Sequence, residues 1–183
     1  MSKQSARQRK RASTLMVRPT PSKMSRAIVQ LGHLTFPAAI GRNGRTALKR
    51  EGDGKSPISV TRLLHGFYRG DRLVAGIATA LPMQRTRQSM LWCDEPRNAN
   101  YNRLVKAPFA PSHEEMMRKD GLYDICLVLD WNITSRSRNR GSAIFMHMIR
   151  PGYEPTAGCV ALHPRDIRRI LPHMHKGTKI RIL

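Results

Sequence analysis

Apolar residues along this chain come in short runs of strand length rather than at helical spacing. Ala27-Ile28-Val29-Gln30-Leu31 has strand character, and Pro37-Ala38-Ala39-Ile40 runs into the turn Gly41-Arg42-Asn43-Gly44. Ser59 to Tyr68 mixes β-branched and apolar residues and predicts a strand. Tyr123 to Asp130 reads as a buried strand, Ser142 to Ile149 as a second and Thr178 to Leu183 as a terminal one. Helical signals are few. Ser112 to Lys119 predicts a short helix, with Ser112 as N-cap, Glu115 completing a capping box and Asp120-Gly121 ending it. Pro164 to Leu171 predicts another, with Pro164 at its first position. Residues 70–90 predict a short helix or a loop. The irregular stretches are polar: Lys49 to Pro57, a long loop from Asp94 to Pro111, a basic turn from Arg136 to Gly141, and a tight loop from Pro151 to Gly158 that ends at a cysteine and precedes the second helix. The pattern predicts a mainly β domain with a few short helices.

Residues 1–26 are rich in Ser, Arg, Lys and Pro and poor in apolar periodicity. They predict a disordered basic tail, with one domain over residues 27–183. No run approaches the roughly 18 apolar residues that a spanning helix needs, so no transmembrane segment is expected. Nor does an apolar stretch follow the basic N-terminus, so no secretory signal is visible. That favours the cytoplasm, an export route not written in this stretch, or a start at Met24.

Composition adds charge to this picture. The 183 residues suit one compact domain, and the formal net charge is +21. Such a surface attracts polyanions: nucleic acid, anionic head groups or an acidic wall polymer. The cations are dispersed, at Arg85 to Arg87, Arg136 to Arg140 and Arg165 to Arg169 as well as the N-terminus. With no zinc-finger spacing, RNA-binding aromatic motif or helix-turn-helix signature, no specific nucleic acid partner is expected. There are three cysteines, Cys93, Cys126 and Cys159, and none form a C-x-x-C pair. A disulfide framework and a cysteine zinc site are both disfavoured, and a free thiol must remain within the monomer. His173 and His175 form an H-x-H pair without a third ligand nearby, so metal binding there is not expected.

Two residues stand out chemically. His147 sits near the end of a predicted strand, and Cys159 follows Thr156-Ala157-Gly158. A glycine there lets the backbone turn sharply and frees amide N–H groups for a developing oxyanion. An imidazole can take the proton of a thiol, whose thiolate is the reactive form. A structural thiol and a core histidine would give the same spacing. Cys126 reads as core, Cys93 as a packed loop residue beside Trp92, and Glu51 and Asp53 as turn residues or as part of a site lining.

The residues around this pair carry more. Lys49-Arg50-Glu51-Gly52-Asp53-Gly54-Lys55-Ser56-Pro57 is one segment. Trp92-Cys93-Asp94-Glu95-Pro96 with Tyr101-Asn102-Arg103 is another. The third runs from Gly141-Ser142-Ala143-Ile144-Phe145-Met146-His147 through Arg150-Pro151-Gly152-Tyr153 to Thr156, Gly158 and Cys159-Val160-Ala161-Leu162. In this order they resemble one branch of the YkuD-type L,D-transpeptidase family, over about residues 30–183. The resemblance implies a β-sandwich or barrel-like catalytic domain acting on peptidoglycan stem peptides, with no metal or cofactor. It implies Cys159 as nucleophile, His147 as general base, the Met148 carbonyl as the group that orients the base, and oxyanion amides at Gly158 and Cys159. Arg150, Thr156 and Tyr153 are the expected substrate contacts. The family's usual setting is the periplasm or cell envelope.

Two positions depart from the family pattern. Ala157 stands where the broader family has a second histidine, and Ala161 stands where it has an arginine. The donor contacts and the rate are therefore in question, and Arg150 is a candidate to bind a substrate carboxylate instead. Transpeptidation and L,D-carboxypeptidase trimming would use the same acyl-enzyme. The rival from another class is a non-catalytic protein that binds anionic wall or nucleic acid through its basic surface.

Overall fold

A computed structural model describes residues 14–73 and 76–183. Alternation begins earlier than composition indicates. In β1 (Leu15–Thr20) Leu15 and Val17 are fully buried while Arg18 faces out. In β2 (Lys23–Leu31) Ser25, Ala27, Val29 and Leu31 point inward. The expected disordered tail is therefore corrected over residues 14–26. Its Arg and Lys residues occupy outward positions of real strands, and a period of two outranks local composition. The rest of that expected tail, residues 1–13, lies outside the described residues.

The chain continues through β3 (Leu34–Ala39), the two-residue pair β4 (Arg45–Thr46) and β5 (Ser56–Pro57), and the long β6 (Ser59–Tyr68). Then come β7 (Met83–Arg85), β8 (Met90–Cys93), β9 (Arg103–Lys106) and β10 (His113–Glu115). Last are β11 (Ile125–Leu129), β12 (Phe145–Met148), β13 (Val160–Leu162), helix α1 (Pro164–Ile170) and β14 (Lys179–Ile182). The main sheet runs β11-β12-β13-β3-β2-β1-β14-β6, and pairing of β6 with β11 closes it into a barrel. Strand β6 closes it by serving three neighbours. Its first half pairs with β14, its second half with β7, and its other edge with β11. Closure leaves none of these eight strands with an open edge in the ring.

Strand β11 shows why the site lies where it does. All five of its residues are buried, but against two different cores. Ile125, Leu127 and Leu129 pack into the aliphatic barrel interior with Leu15, Leu63 and Val160. Cys126 and Val128 face outward, into a second cluster with Phe67, Trp92, Met116, Tyr123, Phe145 and Cys159. A strand covered on both faces reads as an unbroken apolar run. The outer cover is a three-stranded sheet, β10-β8-β9, laid against the barrel wall. On β12, Met146 and Met148 go inward while Phe145 joins the outer cluster. By the same alternation His147 faces out, directly opposite Cys126 in register.

The expected helix at Ser112–Lys119 is corrected to the strand β10. His113, Glu114 and Glu115 pair antiparallel with Cys93, Trp92 and Leu91. The capping signature at Ser112 carries no apolar helical face to bury, so the sheet pairing wins. The loop expected at Asp94–Pro111 contains β9 at its far end. The described residues of 70–90 take the loop alternative apart from β7 and the start of β8 at Met90. Helix α1 forms as expected, with Pro164 at its first turn and the His163 ring accepting from the Arg165 N–H. Its Ile167 and Ile170 pack into the barrel core. Cys159 is followed by β13 before that helix, rather than by the helix itself. No helix among the described residues is long and apolar enough to cross a membrane.

Candidate active site

Three polar segments converge on the loop that carries Cys159. In the first, the Asp53 carboxylate gathers Lys49 Nζ at 2.5 Å and the N–H groups of Arg50 and Lys55 at 2.8 Å each. These hydrogen bonds and the buried Lys49 ammonium hold the Asp53 carboxyl below the usual range, although burial pulls the other way. The loop so wound presents Glu51 and Ser56. Glu51 accepts from the Tyr101 hydroxyl and from Ser142 Oγ. Ser56 Oγ accepts from the Gly41 N–H at 3.0 Å and donates to the Gly158 carbonyl at 2.7 Å.

The second segment supplies Asn102. Its Oδ1 accepts from Trp92 Nε1 and from the Ala143 N–H, both at 3.0 Å, and its Nδ2 donates to the Trp131 carbonyl. Asn102 and Ala143 both have left-handed backbone, with φ of 57° and 50°. For alanine that conformation costs energy, and the Asn102 bond holds it in place. The result is that the Ala143 carbonyl accepts the Cys159 thiol proton, with Sγ to O at 3.1 Å. On its other side Sγ accepts from the Phe145 N–H at 3.3 Å.

The third segment is the Cys159 loop itself. Its backbone is stitched to the strand end at Ile40–Arg42 by Thr156 N–H to the Ile40 carbonyl and Arg42 N–H to the Thr156 carbonyl. Thr156 Oγ1 donates to the Cys159 carbonyl at 2.7 Å and accepts from the Gly158 N–H at 3.1 Å. Gly158 has φ of 147°, and a Cβ there would lie 2.9 Å from the Lys55 carbonyl oxygen. Only glycine fits. One expectation changes here. The Gly158 N–H is committed to Thr156 rather than free for an oxyanion, and the Thr156 hydroxyl clamps the loop while the residue also lines the cavity of Cys159.

His147 and Cys159 line one cavity of about 210 Å³. His147 Nδ1 lies 2.7 Å from the Met148 carbonyl. A carbonyl can only accept, so Nδ1 carries the proton and Nε2 is the free base. Burial pulls the imidazole down to about pKa 4, against a smaller upward pull from the Met148 bond. It pushes the Cys159 thiol up to about 12, with Glu114 adding to the rise. Thiol and imidazole are therefore both neutral at rest, and no hydrogen bond joins Sγ to the ring among the described residues. Tyr123 packs its ring edge on His147, with centroids 5.3 Å apart, and its hydroxyl donates to Glu114.

The rest of the lining mixes both charges with small and apolar residues, Glu114, Glu154, Leu122, Pro155 and Thr156 among them. Arg42, Arg118 and Arg150 reach the cavity, as do Ala157 and Ala161. Arg150 contacts Asp120 at 3.4 Å and Glu154 at 3.7 Å, and Arg118 grips Asp120 through both Nε and an Nη at 2.9 and 2.6 Å. Tyr153 does not line the cavity; its ring lies under the Arg26 guanidinium instead. Glu114 and Tyr123 were missed as site residues because Ser112–Lys119 reads as a helix and Tyr123 as plain strand core. Among the described residues, no group of three or more His, Cys, Asp or Glu is arranged to hold a metal ion.

Residues 14–182 match the family described as YkuD, the L,D-transpeptidase catalytic domain. No curated protein matches the chain. Among solved structures it is similar to L,D-transpeptidase 1 of Mycobacterium tuberculosis, at 12% identity and a TM-score of 0.38, covering 93% of this chain and 62% of that one. The chain thus spans less than two thirds of that protein's length.

Proposed function

The chain belongs to the YkuD family of L,D-transpeptidase catalytic domains, and from that premise we propose that it acylates Cys159 with a peptidoglycan stem peptide. The observation that carries this reading is the tautomer of His147. Its Nδ1–H is tied to the Met148 carbonyl, so Nε2 faces chemistry as a base in the cavity that holds the only thiol lining it.

The resting thiol donates a hydrogen bond to the Ala143 carbonyl. For reaction, Sγ–H turns to His147 Nε2 as the substrate carbonyl enters, and the proton passes to the ring as sulfur attacks carbon. Because the neutral pair lies far from an ion pair in pKa, proton transfer and C–S bond formation run together. The oxyanion takes the Cys159 N–H, since the Gly158 N–H is already given to Thr156. Collapse breaks the C–N bond of the terminal D-Ala, whose amine leaves with the proton from His147. A thioester remains on Cys159. An amine from another stem then gives a cross-link, or water gives a trimmed tripeptide. Arg150, with Arg42 and Arg118 on the same cavity, supplies cations for the carboxylates of the stem. The reaction belongs in the cell envelope, with trimming of recycled stems in the cytoplasm as the alternative setting.

The rival is a binding protein with an idle site. It draws on the neutral, unlinked Cys159 and His147 and on the +21 charge. Incubation with a disaccharide-tetrapeptide, read by mass spectrometry with Cys159→Ala as control, separates the readings. Loss of D-Ala with a tripeptide or cross-linked product, absent in the mutant, supports the enzyme. Unchanged substrate and no adduct on Cys159 overturn it.

A further inference from the structure

The outer sheet places one carboxylate in the wall of the Cys159 cavity, and none of the salt bridges among the described residues includes it. Glu114, on β10, is half-buried and lines that cavity together with Tyr123, His147 and Cys159. Its Oε2 accepts the Tyr123 hydroxyl, whose ring is packed on His147. That bond is the one the Glu114 side chain makes among the described residues. The Arg118 guanidinium, which lies over the Tyr123 ring, holds Asp120 through two bonds and acts on Glu114 without forming a salt bridge to it. Among the described residues Glu114 forms no salt bridge. A carboxylate drawn out of water without a counter-ion is costly, and sequences keep one where a ligand completes it.

The arginines that line the cavity suit the carboxylates of a donor stem, and a carboxylate in the same wall suits the opposite charge. We infer that Glu114, held by the Tyr123 hydroxyl, is the subsite for the ammonium group of the acceptor amine and takes its first proton. This rests on the acyl-enzyme proposed above. The acceptor arrives as an ammonium ion, which is not a nucleophile. One proton passes to the Glu114 carboxylate and later to solvent. The freed nitrogen attacks the thioester carbon, the C–S bond breaks as the amide forms, and the second amine proton ends on the departing Cys159 sulfur through His147. Burial raises the Glu114 carboxyl above the usual carboxylate range, which makes it a better proton acceptor. Glu114 thereby selects amine over water as the second substrate.

The test reads the partition of the acyl-enzyme, so any change in how much acyl-enzyme forms cancels. Wild-type and Glu114→Gln proteins are charged with a tetrapeptide donor, and cross-linked product and tripeptide are counted by mass spectrometry at several acceptor concentrations. Each is repeated with hydroxylamine, which is uncharged at pH 8. The expected result is a fall of about tenfold in the amine-to-water ratio for the ammonium acceptor, and no such fall for hydroxylamine. An unchanged ratio, or an equal fall with both nucleophiles, overturns the assignment and leaves Glu114 as a prop for Tyr123. Should Glu114→Gln not fold, the wild type decides alone. Its KM for an ammonium acceptor should lie about tenfold below that for an aminooxy analogue of the same size, and equal values overturn the proposal. Absence of any acyl-enzyme in the wild type is a different failure. It removes the function proposed above, and this subsite with it.

Discussion

The barrel wall at β1 and β2 and the loops over β11 and β12 are held by different forces. The wall is aliphatic and periodic: Leu15, Val17, Val29 and Leu31 alternate with Arg18, Ile28 and Gln30, and its stability comes from area removed from water. The loops over the outer face of β11 and β12 have little periodicity. They are held by Asp53, Glu51, Ser56 and Asn102, each spending its hydrogen bonds on backbone or on another polar group. The wall needs only the right volume, whereas the loops need particular donors and acceptors in particular places. The difference predicts that substitutions in the wall cost stability alone, and that those around the loops cost chemistry.

The largest separation is at Cys159. Cys159→Ala should lower acyl transfer by a factor on the order of a thousand or more, because no other thiol lines the cavity. Its thermal unfolding should stay close to that of the wild type, since alanine keeps most of the packing and the Phe145 N–H bond lost is one weak contact. A mutant that retains transfer measured by D-Ala release breaks the comparison at its centre.

Next comes pH, through His147. Its folded pKa of about 4 lies below its ordinary 6.5, so the unfolded chain binds the proton more readily. The stability contribution of the neutral ring is complete above about pH 6.5. It is lost as pH falls toward 4, by up to about 3 kcal/mol, and does not change further below that. Urea midpoints at pH 7 and pH 4.5 should converge between wild type and His147→Gln along that window, whereas equal pH slopes would show that the ring is not buried neutral. The acid limb of kcat/KM should likewise sit near pH 4 rather than 6.5, because the free enzyme needs Nε2 unprotonated.

A matched pair sharpens the contrast. Leu15→Ala removes a fully buried wall side chain and should cost about 2–5 kcal/mol, with kcat/KM of the folded fraction unchanged. Asn102→Ala should cost a similar 2–3 kcal/mol by orphaning the Trp92 and Ala143 N–H groups. It should also change the alkylation rate of Cys159, because the Ala143 carbonyl that holds the thiol loses its support. Equal alkylation rates in the two mutants would mean that the Asn102 network serves packing only.

The same division explains what could be read from the sequence. The strands Ser59–Tyr68 and Ile125–Leu129 and the capped helix at Pro164 were legible, because burial writes period and Pro writes a start. The roles proposed for Cys159, His147 and the Met148 carbonyl came only through resemblance; spacing alone favoured a structural thiol and a core histidine. β1 was hidden because its outward positions are basic, and β10 because its partner, β8, lies some twenty residues away in sequence. Glu114 was hidden with it. A carboxylate acquires meaning here from the sheet that turns it toward a cavity, and nothing local in His113-Glu114-Glu115 records that turn. The role of Asn102 was hidden for the same reason, since its partners Trp92, Trp131 and Ala143 come from three separate segments.

The smallest effect expected is at Arg150, where the two kinds of region meet. Its guanidinium is about half exposed and shared between Asp120 and Glu154, so neither ion pair adds much to stability. Arg150→Ala should leave thermal unfolding within about 0.5 kcal/mol of the wild type. If the residue binds a stem carboxylate, KM for the donor should rise up to about tenfold with kcat nearly unchanged, because a contact made equally in the ground and transition states moves KM alone. Substitution by lysine should recover only part of that loss, since an ammonium cannot grip a carboxylate with two parallel bonds. A donor lacking the terminal carboxylate should show no difference between wild type and mutant. If that donor is affected equally, Arg150 acts by ordering the loop at Glu154, and the recognition role passes to Arg42 and Arg118, which reach the same cavity.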